Sequence, residues 1–222
     1  MRDRFTRQRD IITPEQLNDH RYTVIGAGGI GSPTVQELTN LGVGHLTVYD
    51  FDRVELHNLP TQKYRLQDIG AYKVDALSDI VQEATGVTLT SYPERYDDQL
   101  LNPVVISAVD SMRVRKSIWE QVKEQAGYIR FYVEARMGAE LARIYTLTGE
   151  CIREMGERVS LYEDTLYSDE EAVQVACTAR ATSYNTSMIA SLVTNQIKRF
   201  ATGQETHREI IFDFVTMTLM AV

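Results

Sequence analysis

Residues 24–34 read VIGAGGIGSPT, with Gly26, Gly28 and Gly31 spaced as G-x-G-x-x-G after a short apolar run. This feature constrains the chain most. Tyr22–Ile25 has the length and β-branched content of a buried strand, and the glycines allow a tight turn that opens straight into a helix. Backbone amides at such a helix start face an anion. Asp50 follows Gly31 by 19 residues, near the place where dinucleotide folds set an acid against a ribose. Spacing alone therefore points first to NAD and leaves FAD and other nucleotides open.

The rest of the chain alternates strand and helix patterns. TPEQLND carries a helix-start signature, with Thr13 as N-cap, Pro14 at the first helical position and Gln16 three residues after the cap. A helix follows the glycine turn and stops near Leu41, where Gly42 and Gly44 end it. Strand LTVYDF, a helix from Lys73 to Glu83, strands VTLTSY and VVISAV, and a helix from Ser111 to Gln125 come next. The remainder reads as strands YIRFYVEA and LARIYTL, a polar segment from Cys151 to Ala176, a helix from about Thr182 to Phe200, and a last strand EIIFDFVTM. This order predicts an α/β fold with a Rossmann-like, mostly parallel open sheet and flanking helices. No linker interrupts it, so residues 1–222 read as one domain.

Composition narrows the function classes. At 222 residues, 43% hydrophobic and 24% charged, the chain can bury a sizeable core. Its net charge of −8 disfavours a nucleic-acid surface or an anionic membrane face and suits a partner with a basic patch. The arginine-rich MRDRFTRQRD is followed by no apolar stretch of a secretory signal, and no run reaches the ~18 apolar residues of a membrane span. Two cysteines, Cys151 and Cys177, are too few for a disulfide framework or an all-cysteine zinc site. The expected home is the reducing cytoplasm.

In open α/β sheets, ligands lie beyond the carboxyl ends of the strands near the reversal of strand order. Asp50, Asp52 and Asp110 all fall at such ends. Between the second strand and the next helix runs the long polar stretch DFDRVELHNLPTQKYRLQDIGAYK, ending in Lys73. A triphosphate of charge about −4 approaching a carboxylate needs cations to screen the repulsion. Spacing by itself leaves Lys73 on a solvated helix face.

RFTRQ, GAGGIGSPTVQELTNLGVGHLTVYDFDRVELHNL, GAYKVDAL and VVISAVDSMRVR, in that order and spacing, resemble the ThiF/MoeB/HesA family, which includes the adenylation domains of ubiquitin-activating enzymes. YNTSMIASLVTNQIKRF and the final strand extend the likeness to the end of the chain. The resemblance implies ATP- and Mg²⁺-dependent adenylation of the C-terminal carboxylate of a small ubiquitin-like or sulfur-carrier protein ending in Gly-Gly, by a homodimer, with a downstream conjugating enzyme as a further partner. It implies that Gly26, Gly28, Gly29 and Gly31 pack against the nucleotide and that Asp50, with Asp52 beside it, binds the ribose. It sets Asn58, Gln62 and Lys73 toward the phosphates and Asp110 on the metal. Arg7 matches an arginine that reaches the opposite subunit's triphosphate. Residues 1–20 then form an arm and helix, 21–125 a nucleotide-binding half, and 126–222 a carrier-binding half with a crossover loop at about 151–176.

There are departures from the family pattern. Where the family reads Asn-Leu-Gln-Arg-Gln, this chain reads NLPTQ, which puts Thr61 in place of a phosphate-binding arginine and leaves Lys63 or Arg65 to substitute. The paired Cys-x-x-Cys ligands of many members are absent, so no structural zinc is expected. The stretch YEDTLYSDEEAVQVAC carries Glu163, Asp164, Asp169, Glu170 and Glu171, again suiting a basic partner. Cys177 lies just before a helix start, where the dipole favours a thiolate able to accept an acyl group, and a buried apolar cysteine is the other reading. Adenylation of a short peptide, an NAD(P)-dependent oxidoreductase and an inactive nucleotide-binding scaffold stay open as alternatives.

Overall fold

The structure is a computed structural model and describes residues 4–138, 140–167 and 181–222. Helix α1 (Pro14–Asn18) starts with the expected capping box, the Thr13 hydroxyl accepting from Gln16 N while Gln16 Oε1 accepts from Thr13 N. It leads into β1 (Tyr22–Ile25), α2 (Gly31–Leu41), β2 (Leu46–Tyr49), α3 (Lys73–Thr85), β3 (Thr90–Tyr92), β4 (Val104–Ser107) and α4 (Met112–Glu124). After these come β5 (Phe131–Gly138), β6 (Leu141–Thr148), α5 (Gly149–Glu154), α6 (Glu157–Glu163), α7 (Ser183–Ala201), β7 (Glu209–Asp213) and β8 (Thr218–Ala221).

All eight strands form one sheet in the order β3-β2-β1-β4-β5-β6-β7-β8. The first five pair in parallel, and β6, β7 and β8 each pair antiparallel with the strand before. Strand order reverses between β1 and β4, which opens the crevice where ligands bind such sheets. At the opposite ends of those strands, the Asn102 amide donates to Tyr22 O, Thr23 Oγ1 and Thr47 Oγ1 and ties three segments together.

Each sheet face carries its own apolar core. Val35 and Leu38 of α2, Val74 and Leu77 of α3, and Ile189 and Val193 of α7 pack on one face with Val24, Val133 and Ala135. Ile118 and Trp119 of α4, Ile152 of α5 and Tyr162 of α6 pack on the other with Ile25 and Tyr132. The alternation of β5 thus sends Val133 and Ala135 one way and Tyr132 the other.

Three elements differ from the sequence reading. The third strand is only Thr90–Tyr92, at the sheet edge where no second neighbour extends its ladder. EIIFDFVTM is not one strand. Asp213 Oδ1 accepts from Val215 N and Thr216 N, Met217 takes φ 55°, and the chain turns back as β8. The segment expected to loop from Cys151 begins as two helices. Thr148 caps the first, Gly149 sits where a Cβ would lie 2.3 Å from Ile129 O, and Val159 and Tyr162 are buried one helical turn apart. Residues 168–176 of that segment, and Cys177, lie outside the described residues.

The glycine turn sets the sheet's central geometry. A Cβ on Gly31 would stand 1.8 Å from Gly26 O, and one on Gly26, itself at φ +95°, would stand 2.7 Å from Ala108 O. A Cβ on Gly28 would meet nothing within 4 Å. Chemical denaturation is expected to show Gly31→Ala destabilised by at least ~2 kcal/mol through overpacking against backbone, and Gly28→Ala changed by less than ~1 kcal/mol. Equal effects at the two positions would contradict this division between packing and open glycines.

Candidate nucleotide site

The end of β1 is held from three sides. Gly26 N donates to Tyr49 O, Ala27 N to Asp50 Oδ2 at 2.7 Å, and the Tyr64 hydroxyl donates to Ala27 O. These bonds fix the turn and leave Gly28 and Gly29 at the mouth of the crevice. Helix α2, eleven residues long, starts at Ile30 without a side-chain cap. Its first turn points the positive end of the helix dipole at the crevice, although Ser32 N is taken by Gly28 O and Pro33 has no amide hydrogen. Gly29 lies against Thr186 and Thr61, so the start of α7 and the 56–64 turn form the next wall.

Asp50 does two jobs at once. Besides Ala27 N, its carboxylate accepts from Asp52 N at 2.8 Å. Burial raises its pKa above the ordinary aspartate value, opposed by the nearby Lys73 charge and by the two amide donors. One carboxylate therefore shapes both strand ends, alongside any ligand role.

Lys73 is not on a solvated face. Only 6% of it is exposed, and Nζ sits 2.7 Å from Asp52 Oδ2. The reason is tertiary: Lys73 N also donates to Asp52 O, so the first turn of α3 docks onto the end of β2. A buried ammonium stays charged only with such a partner. Asp52 keeps 48% of its side chain exposed, so the pair lies at the crevice edge with its carboxylate outward.

The 56–64 turn is organised by Asn58, which is buried. Its Oδ1 accepts from Glu55 N, and its carbonyl accepts from Thr61 N and Gln62 N. Lys63 N donates to Ser32 Oγ, and that hydroxyl donates to Gly28 O, binding the turn to the glycine loop. Gln62 Oε1 is buried with no hydrogen-bond partner among the described residues. Of the two cations near Thr61, Arg65 is committed to Asp68 and Glu83. Lys63 Nζ reaches Ser187 Oγ at 3.1 Å, beside the glycine turn. Arg65 is therefore removed as the substitute for the missing arginine.

Asp110 is exposed just past β4 and does not cap α4, because Ser111 Oγ accepts from Val114 N in that role. Arg7 is exposed on an arm anchored by Arg4 to Thr39 O and Thr85 O and by Gln8 to Leu41 O. Those carbonyls end α2 and α3. The anchor thus lies about 16 Å along α2 from the glycine turn. Direct contacts join the glycines, Asp50, Asp52 and Lys73, and the 56–64 turn with Asn58 and Gln62 is tied to the glycine loop; Asp110 lies two residues beyond Ala108, on which Gly26 packs, and Arg7 is set apart on its arm. Cys151 is partly buried, its Sγ 3.2 Å from Thr148 Oγ1.

One group was not singled out from the sequence. Glu134 is fully buried and serves both Arg115 and Arg136, and Arg115 NH2 donates to Val109 O next to Asp110. Its sequence signal is two opposite charges, Glu134 and Arg136, on one face of an otherwise apolar strand.

Among the described residues no group of three His, Cys, Asp or Glu could hold a metal ion. A single exposed carboxylate such as Asp110 fits Mg²⁺ of the kind held chiefly by phosphate oxygens and water. The open Gly28 and the uncapped start of α2 fit an anionic ligand.

Sequence and fold comparisons agree with this geometry. The ThiF family profile matches residues 7–221. A ubiquitin-like modifier-activating enzyme 5 from Oryza sativa subsp. japonica is 39% identical over 82 residues, covering 35% of this chain and 19% of that protein. The molybdopterin-synthase adenylyltransferase of Salmonella typhimurium is 32% identical over 117 residues, 49% of this chain and 47% of that one. The matched part is thus less than half of either relative. Among solved structures, PaaA shares the fold at TM-score 0.73 and 20% identity, covering 94% of this chain and 65% of its own. E. coli MccB with AMPCPP and MccA does so at TM-score 0.76 and 13% identity, over 100% and 71%. With a family match over nearly all its length, this chain belongs to the ThiF family.

Proposed function

We propose that this protein is an adenylyltransferase that uses ATP and Mg²⁺ to activate a C-terminal carboxylate. The observation that carries the reading is the buried Lys73, paired with Asp52 beside the uncapped start of α2. A nucleoside triphosphate, with about twice the negative charge of the pyrophosphate in NAD, makes greater use of that ammonium. A carboxylate oxygen attacks the α-phosphorus of ATP, the bond to the bridging oxygen of pyrophosphate breaks, and an acyl-AMP forms. AMP then leaves readily where oxide could not.

In this reading the amides at Gly28 and Gly29 and the start of α2 bind phosphate oxygens, and Asp50 orients the ribose. Gln62, Asn58 and Lys63 line the phosphate path, with Lys63 standing in for the arginine that Thr61 replaces. Lys73 shifts part of its charge from Asp52 to the incoming phosphates. Asp110 holds Mg²⁺, which when bound neutralises charge on the departing pyrophosphate. Arg7, remote from its own glycine turn, acts on the second subunit of a homodimer. The acceptor is a ubiquitin-like or sulfur-carrier protein ending in Gly-Gly, as the names of the sequence relatives suggest. A short peptide is the second reading, favoured by the fold shared with MccB, solved with MccA. Cys177 as acyl acceptor and a downstream conjugating enzyme extend the first reading. No helix among the described residues is long and apolar enough to cross a membrane.

Thermal denaturation should show greater stabilisation by ATP with Mg²⁺ than by NAD, since a ligand confined to the native state raises stability by RT ln(1 + [L]/Kd). The reverse ranking would remove the adenylation reading. With a carrier present, exchange of labelled pyrophosphate into ATP should fall by at least ~100-fold in Asp110→Ala.

Acidification tests Asp50. Because burial raises its folded-state pKa, the ionised carboxylate costs folding stability at neutral pH, and that cost is relieved as pH falls through the raised value. Ligand binding moves the other way, since the protonated acid loses acceptor capacity. ATP stabilisation is expected to decline with a midpoint above 3.8, the ordinary aspartate value, and Asp50→Asn should abolish the step. A pH-independent ATP shift in the parent protein would take Asp50 out of the ribose contact.

Subunit mixing tests Arg7. Arg7→Ala and Asp110→Ala proteins should each be nearly inactive, and their hybrid should regain activity toward a quarter to a half of the parent. Absence of recovery after proven exchange would argue against action across the interface.

A further inference from the structure

Glu134 lies on β5 with no exposure, and two guanidinium groups converge on its carboxylate. Arg115 Nε is 2.7 Å from Oε1, and Arg136 contacts the same oxygen through Nε and Oε2 through NH2 at 3.3 Å. The Tyr162 hydroxyl donates to Oε2 and is itself 3.0 Å from the Tyr132 hydroxyl. The far ends of both arginines are also committed. Arg115 NH2 donates to Val109 O at 2.6 Å, while Arg136 donates to Thr165 O at 2.7 Å and to Thr165 Oγ1 at 2.9 Å.

Fold stability does not account for this arrangement. Burying an ion triad costs desolvation that its mutual attraction barely repays, and apolar replacements of similar volume often do as well. Two cations on one acid leave a surplus positive charge in a core otherwise lined by Trp119, Tyr132 and Tyr162. What the triad does supply is reach. A guanidinium, planar and always charged, can pair with a carboxylate at one nitrogen while another nitrogen donates to a backbone carbonyl. Arg115 does this: Nε lies against Glu134 Oε1 as an ion pair rather than an aligned hydrogen bond, and NH2 donates to the carbonyl immediately before Asp110. Arg136 of β5, itself tied to Thr165 just past α6, and Tyr162 of α6 hold the carboxylate from its other side.

We propose that Glu134 is a positioning residue, which through Arg115 holds the Val109–Asp110 loop in the placement needed to bind Mg²⁺ with ATP. The inference rests on the ATP reading and extends it to residues that touch neither nucleotide nor metal.

The test measures the Mg²⁺ concentration that gives half-maximal thermal stabilisation of the full chain at fixed ATP. Arg115→Lys keeps the charge but has no fork to span Glu134 and Val109 O. Glu134→Gln removes the shared anion. Each should raise the half-maximal Mg²⁺ concentration at least about five-fold. A double-mutant cycle separates positioning from general loosening. In an Asp110→Ala background, Arg115→Lys should cause no further change in Mg²⁺ dependence. Unchanged Mg²⁺ dependence in Arg115→Lys, or an equal additional loss in the Asp110→Ala background, would overturn the inference while leaving the ATP reading intact. Failure of the parent protein to be stabilised by ATP with Mg²⁺ would overturn both. Should Glu134→Gln fail to fold, Arg115→Lys and the cycle decide alone.

Discussion

The crevice depends on one backbone approach, Gly31 resting on the carbonyl of Gly26 while Gly26 rests on that of Ala108. Side chains at these positions would push β1, β4 and α2 apart. Because they are absent, the start of α2 lies directly over the carboxyl ends of two adjacent strands, and every other group at the site is measured from there. Asp50 is drawn in by Ala27 N, Asp52 by the hydrogen bond its N–H donates to the Asp50 carboxylate, and Lys73 by its pair with Asp52. The chain of contacts passes from backbone to acid to cation in a few ångströms.

That sequence of contacts explains what could be read in advance. The glycine turn, the Thr13 capping box and the helix stop at Gly42 are local: neighbours in sequence decide them, and they appear as expected. Spacing by itself leaves Lys73 on a solvated face because its burial is settled by a residue 21 positions away, and helix periodicity carries no trace of that pairing. The helices after Thr148 were hidden inside a polar composition, although Ile152, Val159 and Tyr162 mark a buried face. The β8 hairpin was missed for want of a glycine at its turn, since Met217 takes the left-handed conformation instead.

Charged residues inside strands deserve a different reading from charged residues on helices. Glu134 and Arg136 share a face of β5 that α4 and α6 cover, so Glu134 cannot reach water as a side chain on an open face would. Such a pair must find partners across the sheet, and here those partners lie on α4 and α6. The site's support therefore comes from the sheet face opposite α2, so the two apolar cores meet functionally at Ala108 and Val109.

The place of β1 in the sheet also has a cost during synthesis. Tyr22–Ile25 is buried along its whole length, yet one of its two neighbours, β4, begins at Val104. At a ribosomal pace of about 5 to 20 residues per second, that neighbour arrives roughly 4 to 16 s after β1 has been made. Through that interval the central strand of the sheet has at most one flank covered, and an apolar strand with an open flank invites pairing with other chains. The fold that gives the nucleotide crevice its depth thus leaves the nascent chain dependent on prompt completion of its first half, and slow translation between residues 25 and 104 is the point at which yield would be lost to aggregation.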